Sequence, residues 1–345
     1  MEATVCLQTY VEDLWGRAMS FDPFEKRRVG ASQVEIARLG LGTAPLGGWP
    51  EAVSAQTAIA TVQRAWDRGI RFFDTAPFYG AGQAELFLAQ ALAGKPREDF
   101  RVSTKTGRLI VPGSDAVEFF KGARPFHSVF DFSADGVESS VRDSRARLGL
   151  GAPDLMLVHD PDAHHAEVLQ QAYPKLRAMR DAGEFGALGV GMNYVEPLVR
   201  FANEADFDIF LLAGRYTLLE QTALDELFPL AQERGISIVL GGVFNSGLLI
   251  APTAGAMYDY APASSEILAK ARAIEEVCRT FDVPLRAAAL QFAAAHPAVT
   301  SMVIGARTPG EVDDTLANTN LVIPGELWSI LKHRGLVRQD APVPG

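Results

Sequence analysis

A single (β/α)8 TIM barrel is the α/β fold class that this sequence predicts, and three observations carry the prediction. Eight short runs rich in Val, Ile, Leu and Phe alternate with longer stretches of helical period, as repeated βα units require. The chain's 345 residues fit one such barrel with insertions. Polar residues stand at the ends of several runs, where a parallel barrel gathers its functional groups.

The runs lie near Leu39 to Thr43, Ile70 to Asp74, Arg101 to Lys105, Asp154 to His159, Ala187 to Met192, Asp208 to Ala213, Ile236 to Gly241 and Ser301 to Gly305. Between them apolar residues recur at spacings of three and four, as in Ile59, Val62, Trp66 and in Ile267, Ala271, Ile274, Cys278, Phe281. Such stripes are the barrel-facing sides of helices. Three segments stand outside the repeat: Arg108 to Phe132, Phe244 to Ser265, and the tail beyond Leu321 with a short helix from Gly325 to His333. Extra loops at the C-terminal face of this fold usually build the pocket, so all three are expected to roof it. Residues 1–28 are expected to be an N-terminal extension, flexible or preceding a natural start such as Met19, and residues 29–345 one domain.

Composition narrows the function classes. Hydrophobic content of 48% and charged content of 21% are those of an ordinary globular enzyme. A net charge of −10 disfavours nucleic acid and anionic membrane surfaces, which would repel the chain at long range. Cys6 and Cys278 are too few and too far apart for a disulfide framework or a paired-cysteine metal site, so no metal and a reducing cytoplasm are expected. Glu2, Glu12 and Asp13 stand where a secretory leader would be basic and then apolar, and no run is long enough to span a membrane.

Four polar residues are the candidate catalytic set. Asp74 closes the second run, Lys105 the third and His159 the fourth, while Tyr79 lies five residues past Asp74. An unperturbed tyrosine has a pKa of about 10 and is a poor base at neutral pH unless a nearby cation favours the phenolate. Lys105 is the candidate cation, with Asp74 as its counter-ion. Tyr79 then takes a hydroxyl proton as hydride leaves the same carbon, or returns it in reduction, and His159 orients the reacting oxygen. Alone, each residue has a plainer reading as a cap, a solvated charge, a structural histidine or a turn residue. On neighbouring strand ends the four read jointly as a proton relay.

The segments Phe73-Asp74-Thr75-Ala76-Pro77-Phe78-Tyr79-Gly80, Ser103-Thr104-Lys105-Thr106-Gly107 and Leu157-Val158-His159-Asp160 together resemble the catalytic tetrad of the aldo-keto reductase superfamily, in the right order from about Val29 to about Asn318. The resemblance implies a nicotinamide cofactor, NAD or NADP. It assigns Asn193 to the carboxamide, Gly242, Val243, Phe244, Ser246, Gly247 and Leu248 to a loop over the pyrophosphate, and Gly305, Ala306, Arg307 and Asp314 to the adenosine end. Three departures stand out: Ala213 where many relatives have glutamine, Gly241 where an aromatic ring commonly stacks on the nicotinamide, and Gly305 with Glu311 where NADPH-dependent relatives carry Lys and Arg. A carboxylate beside a 2'-phosphate is repulsive, which tilts the expectation to NAD.

The segments from Leu39 to Gly48, from Gly214 to Leu219 and from His159 to Asp162 most resemble the branch containing D-threo-aldose 1-dehydrogenase, L-fucose dehydrogenase and pyridoxal 4-dehydrogenase. That branch implies oxidation of the anomeric carbon of a free aldose such as L-fucose, with small sugars or aldehydes as the binding partners. Pyridoxal 4-dehydrogenase, a broad-specificity NADPH carbonyl reductase and a nicotinamide-binding regulatory subunit are the alternatives. The regulatory reading has no need of a complete proton relay. Trp49 and Phe78, near the first two strand ends, offer apolar faces to a sugar or a pyridine ring, with core packing as the equal alternative.

Overall fold

A computed structural model describes residues 21–113, 119–123 and 125–344. Fourteen strands occur among them: β1 (Lys26–Arg28), β2 (Glu35–Ala37), β3 (Leu39–Gly42), β4 (Phe72–Asp74), β5 (Arg101–Thr106), β6 (Arg108–Pro112), β7 (Phe126–Phe130), β8 (Leu155–His159), β9 (Ala187–Met192), β10 (Ile209–Ala213), β11 (Ser237–Gly241), β12 (Met257–Tyr258), β13 (Ala261–Pro262) and β14 (Val299–Gly305). Eight of these close a parallel barrel in the order β3, β4, β5, β8, β9, β10, β11, β14 and back to β3. These eight coincide with the eight predicted runs to within two residues at each end.

Because side chains alternate along a strand, each barrel strand has an outward and an inward set. Phe73, Val102, Met156, Val158, Leu188, Val190, Phe210 and Leu212 face outward into one large apolar layer shared with the helices. Phe72, Leu155, Leu157, Ala187, Ile209, Leu211, Val239 and Val303 face inward and fill the lower barrel. Continuing the alternation to the C-terminal ends places Gly42, Asp74, Lys105, His159, Gly191, Ala213, Gly241 and Gly305 in one ring at the mouth. All eight line the same cavity.

The helices follow from the same chemistry. Ala58, Thr61, Val62 and Ala65 are the buried face of the helix Ala55–Asp67, at the three-and-four spacing of an amphipathic helix. Ser54, Ser133, Ser264 and Thr308 each precede a helix and accept a backbone N–H from its first turn, the usual work of an N-cap. No described helix is long and apolar enough to cross a membrane.

Of the expected N-terminal extension, residues 21–28 pack on the barrel: Pro23 and Glu25 accept backbone N–H groups of Leu39 and Arg38, and β1 pairs antiparallel with β2. Val29 and Ile36 of that hairpin pack among the inward residues Phe72 and Leu155, so the hairpin seals the barrel floor. The remainder of the proposed extension, with Cys6 and Met19, lies outside the described residues. The tail does form the helix Gly325–His333, but it does not roof the mouth. Leu327, Trp328 and Leu331 are buried in the helical layer, Trp328 beside Phe292, because three large apolar residues on one face find more area there than over a polar opening.

Candidate active site

The register of three adjacent strands assembles the polar half of the mouth. Asp74 at the end of β4 lies opposite Ser103 of β5, and Lys105, two residues further on, projects from the same face. The Lys105 ammonium is 1% exposed, a burial that requires partners, and it has four: Asp74 Oδ2 at 2.8 Å, Asp74 Oδ1 at 3.0 Å, the Thr75 carbonyl at 2.9 Å and the Tyr79 hydroxyl at 3.0 Å. Ser103 Oγ donates to Asp74 Oδ1 as well. Tyr79 reaches the ammonium from the turn after β4. There Gly80, at φ +62, meets Gly47 so closely that a Cβ on Gly80 would stand 2.6 Å from the Gly47 carbonyl oxygen. Only glycine fits both the left-handed backbone and the gap.

Electrostatics sort these groups. Burial alone favours a neutral Lys105, but Asp74 and the hydrogen bonds outweigh it and hold its pKa above the ordinary lysine value. Burial pushes the Tyr79 phenol up; Lys105 pulls it down and Asp74 pushes it up again, with a net rise. Burial, the largest of these effects, outweighs the pull of Lys105. The resting relay therefore ends in a protonated tyrosine, a general acid. His159 is 5% exposed and its pKa is held well below the usual imidazole value, by burial first and then by the charges of Lys105 and Arg108. It is a neutral ring, edge-on to Tyr79 at a centroid distance of 5.8 Å.

The other half of the ring is nearly free of side chains. Gly42, Gly191, Ala213, Gly241 and Gly305 line a cavity of about 700 Å³, and a Cβ on Gly305 would stand 2.7 Å from Pro45 Cγ. A layer with proton-transfer groups on one side and only small residues on the other is a slot for a flat ring beside the relay, which fits a nicotinamide. Of the predicted cofactor residues, Asn193, Gly242, Val243, Phe244, Ser246, Gly247, Gly305 and Arg307 line this cavity. Leu248 and Ala306 do not: both are buried in the apolar layer. Asp314 does not either; its carboxylate pairs with Arg286 of the neighbouring helix Leu285–Ala295. Asp314 lies three residues past the cavity-lining Glu311 on the helix Pro309–Thr319, with its carboxylate turned to Arg286.

Trp49 and Phe78 both line the cavity, within an aromatic wall. Trp49 stacks on Phe119 at 5.8 Å and meets the edge of Tyr260 at 5.2 Å, and Phe78 lies 6.3 Å from Phe119. Phe119 and Phe120 come from the insertion after β5, and Tyr260 from the segment between Phe244 and Ser265, as two of the three predicted roof segments require. Asn193 and Tyr260 both line the opening. The sequence reading missed Arg108, Asp160, Asp162 and Tyr260 as individual site residues. Asp160 directly follows His159, so adjacency was the available signal; the rest depend on how the inserted loops fold back.

A second cavity, of about 520 Å³, lies at the opposite end of the barrel among Ser32, Arg180, Asp208 and Arg234, far from these groups. Arg180 and Asp208 neutralise each other there at 3.0 Å, and Asp208 also accepts the Leu188 N–H, so this is a structural corner.

Comparison with known proteins agrees with the geometry. The sequence profile of the Aldo/keto reductase family matches residues 38–333. The chain is 40% identical over 336 residues to the pyridoxal 4-dehydrogenase of Microbacterium luteolum, covering 91% of this chain and 98% of that protein. It is 38% identical over 317 residues to the D-threo-aldose 1-dehydrogenase of a Pseudomonas species, covering 89% and 96%. Among solved structures, an aldo-keto reductase from Bacillus halodurans in its holo form shares the fold with a TM-score of 0.74 at 23% identity, over 91% of this chain and 97% of that one. A barrel with the Asp74, Tyr79, Lys105 and His159 constellation at its mouth, matched by the family profile along most of its length, is an enzyme of the aldo/keto reductase family.

Proposed function

We propose that the protein is an NAD-dependent aldose 1-dehydrogenase, oxidising the C1 hydroxyl of a free aldose of the L-fucose or D-threo type to the aldonolactone. The observation that carries the reading is the mouth ring itself: a complete relay faces a slot of small residues, and the remaining wall divides into aromatic rings and carboxylates. Trp49, Phe78, Phe119 and Tyr260 can cover the C–H face of a sugar, while Asp160 and Asp162 can accept from its hydroxyls.

A bound nicotinamide supplies the hydride acceptor. Asn193, the Gly241-Gly242 turn and Arg307, which line the cavity, would hold it. His159 donates to the C1 oxygen and orients it. The hydroxyl proton passes to the Tyr79 oxygen when that oxygen is deprotonated, as the C1–H bond yields hydride and C1=O forms. Lys105 stabilises the phenolate during that interval, and Asp74 keeps Lys105 charged and in place. Because burial holds the Tyr79 pKa up, oxidation speeds up towards alkaline pH.

The NAD preference rests on Arg307. Glu311 accepts its backbone N–H at 2.7 Å and its guanidinium at 3.2 Å, and Glu51 approaches the same guanidinium at 3.4 Å. A 2'-phosphate would meet two carboxylates around one cation that is already paired. A reducing cytoplasm suits the chain, in which the buried Cys278 is a free thiol among the described residues.

The second reading is a pyridoxal 4-dehydrogenase, which the 40% identical relative and the stacking geometry of Trp49 with Phe119 favour. Following the reduced cofactor with NAD and NADP against L-fucose, L-galactose, D-arabinose, pyridoxal and simple aldehydes separates the two. Oxidation of pyridoxal with no turnover of any aldose transfers the assignment to the second reading.

A further inference from the structure

Immediately beyond His159 the chain does something costly. Asp160 takes φ +46, a left-handed conformation that non-glycine residues rarely adopt, and its N–H is fixed on the Gly191 carbonyl at 2.9 Å. The result is a carboxylate turned to the cavity beside the imidazole, with Asp160 Oδ2 3.6 Å from His159 Nε2. His159 Nδ1 is enclosed without a hydrogen-bond partner among the described residues, which leaves Nε2 as the nitrogen that acts on the reacting oxygen.

Asp160 is held from behind. Arg108, the first residue of β6 at the base of the β6–β7 hairpin, donates to Asp160 Oδ2 at 2.8 Å, and its guanidinium lies 3.4 Å from the Phe78 ring centroid and 4.7 Å from that of Phe130. A planar cation packed against two rings has little freedom, so the carboxylate it grips is preorganised. Arg108 Nε is buried with no hydrogen-bond partner among the described residues. The relay does not use this pair: Tyr79, Lys105 and Asp74 are complete without it.

We propose that Asp160, positioned by Arg108, reads the hydroxyl on the carbon next to the reacting carbon. His159 Nε2 and Asp160 sit side by side as a donor and an acceptor, which matches two oxygens on adjacent carbons, one receiving a hydrogen bond and one giving it. A substrate with its neighbouring hydroxyl one carbon further away, as in the ring of pyridoxal, reaches this pair less well. The inference rests on the aldose reading above and names Asp160 as its specificity-determining residue.

The test compares D-arabinose with 2-deoxy-D-ribose, which differ only in the C2 hydroxyl, in wild type and in Asp160→Ala. Losing a hydrogen bond to a charged group costs roughly 10- to 100-fold in kcat/KM. Wild type is expected to prefer D-arabinose by at least that factor, and Asp160→Ala to lose it on D-arabinose while changing little on 2-deoxy-D-ribose. Asp160→Asn keeps the shape and one acceptor oxygen, and carries the test if the alanine variant does not fold; its expected loss is about 10-fold, on D-arabinose alone. Equal losses on both sugars, or a wild type indifferent to the C2 hydroxyl, overturn the inference and leave the aldose reading standing. A wild type inactive on both sugars and on the wider aldose panel overturns the aldose reading and this inference with it.

Discussion

Lys105→Met removes the centre of the buried network and makes a quantitative test of it. The ammonium makes four hydrogen bonds, and the substitution leaves Asp74, which is 3% exposed, with the Ser103 hydroxyl as its remaining listener among these groups. Removing one partner of a buried ion pair costs about 3–5 kcal/mol, mostly because the other charge is stranded. The expected outcome is a lower urea midpoint at unchanged m value, corresponding to that loss. Activity falls as well, by about 100-fold or more, since the phenolate loses its cation. The double variant Lys105→Met/Asp74→Asn should recover part of the stability, because no charge remains to be stranded, and none of the activity. The sign of the pH dependence follows from the raised Lys105 pKa: its stabilisation is present below about 10.5, the ordinary lysine value, and is lost as pH rises through the folded-state value. A single variant within 1 kcal/mol of wild type, or a double variant no more stable than the single one, would refute this account of the network.

Two further expectations concern the cofactor and acid stability. Glu311→Arg replaces a carboxylate that occupies Arg307 by a second guanidinium, and the ratio of kcat/KM for NADP over NAD should rise by at least 10-fold, about 1.4 kcal/mol; an unchanged ratio places the discriminating contact elsewhere. His159 and His296 are both held below their ordinary pKa by burial, His296 to about 4, so the unfolded chain takes up protons that the folded one refuses. Stability should therefore fall as pH drops below about 6.5, with a slope of up to about 1.4 kcal/mol per pH unit for each group. Urea titrations between pH 7 and pH 5 check this, and a flat profile contradicts it.

How much of this was legible depends on whether a feature is set along a strand or between elements. The eight barrel strands were readable because each is a short apolar run, and Asp74, Lys105 and His159 were readable because alternation fixes which way a strand end points. Of the small residues of the opposite half, Ala213 and Gly241 were noted in sequence only as departures, and Gly305 as a departure at the adenosine end. Their meaning appears when they fall into one ring with the relay. Leu248, Ala306 and Asp314 lie outside the cavity lining because they sit one position away from residues that line it, or one turn further on, and a motif fixes a segment but not the phase of each side chain. Tyr260 and Arg108 were beyond reach for a different reason. Tyr260 faces the site through consecutive left-handed residues, Asp259 and Tyr260, while Arg108 is aimed by stacking on Phe78, and neither leaves a periodic trace.

The central claim is that Tyr79 moves the proton in a hydride-transfer reaction at the barrel mouth, and the direct measurement is the single-turnover rate of cofactor reduction in wild type and Tyr79→Phe across a range of pH. The account predicts a wild-type oxidation rate that rises towards alkaline pH, and a variant slower by about 100- to 10,000-fold that has lost this rise while binding the cofactor as before. A Tyr79→Phe enzyme that turns over at a near-normal rate with the wild-type pH profile would contradict it.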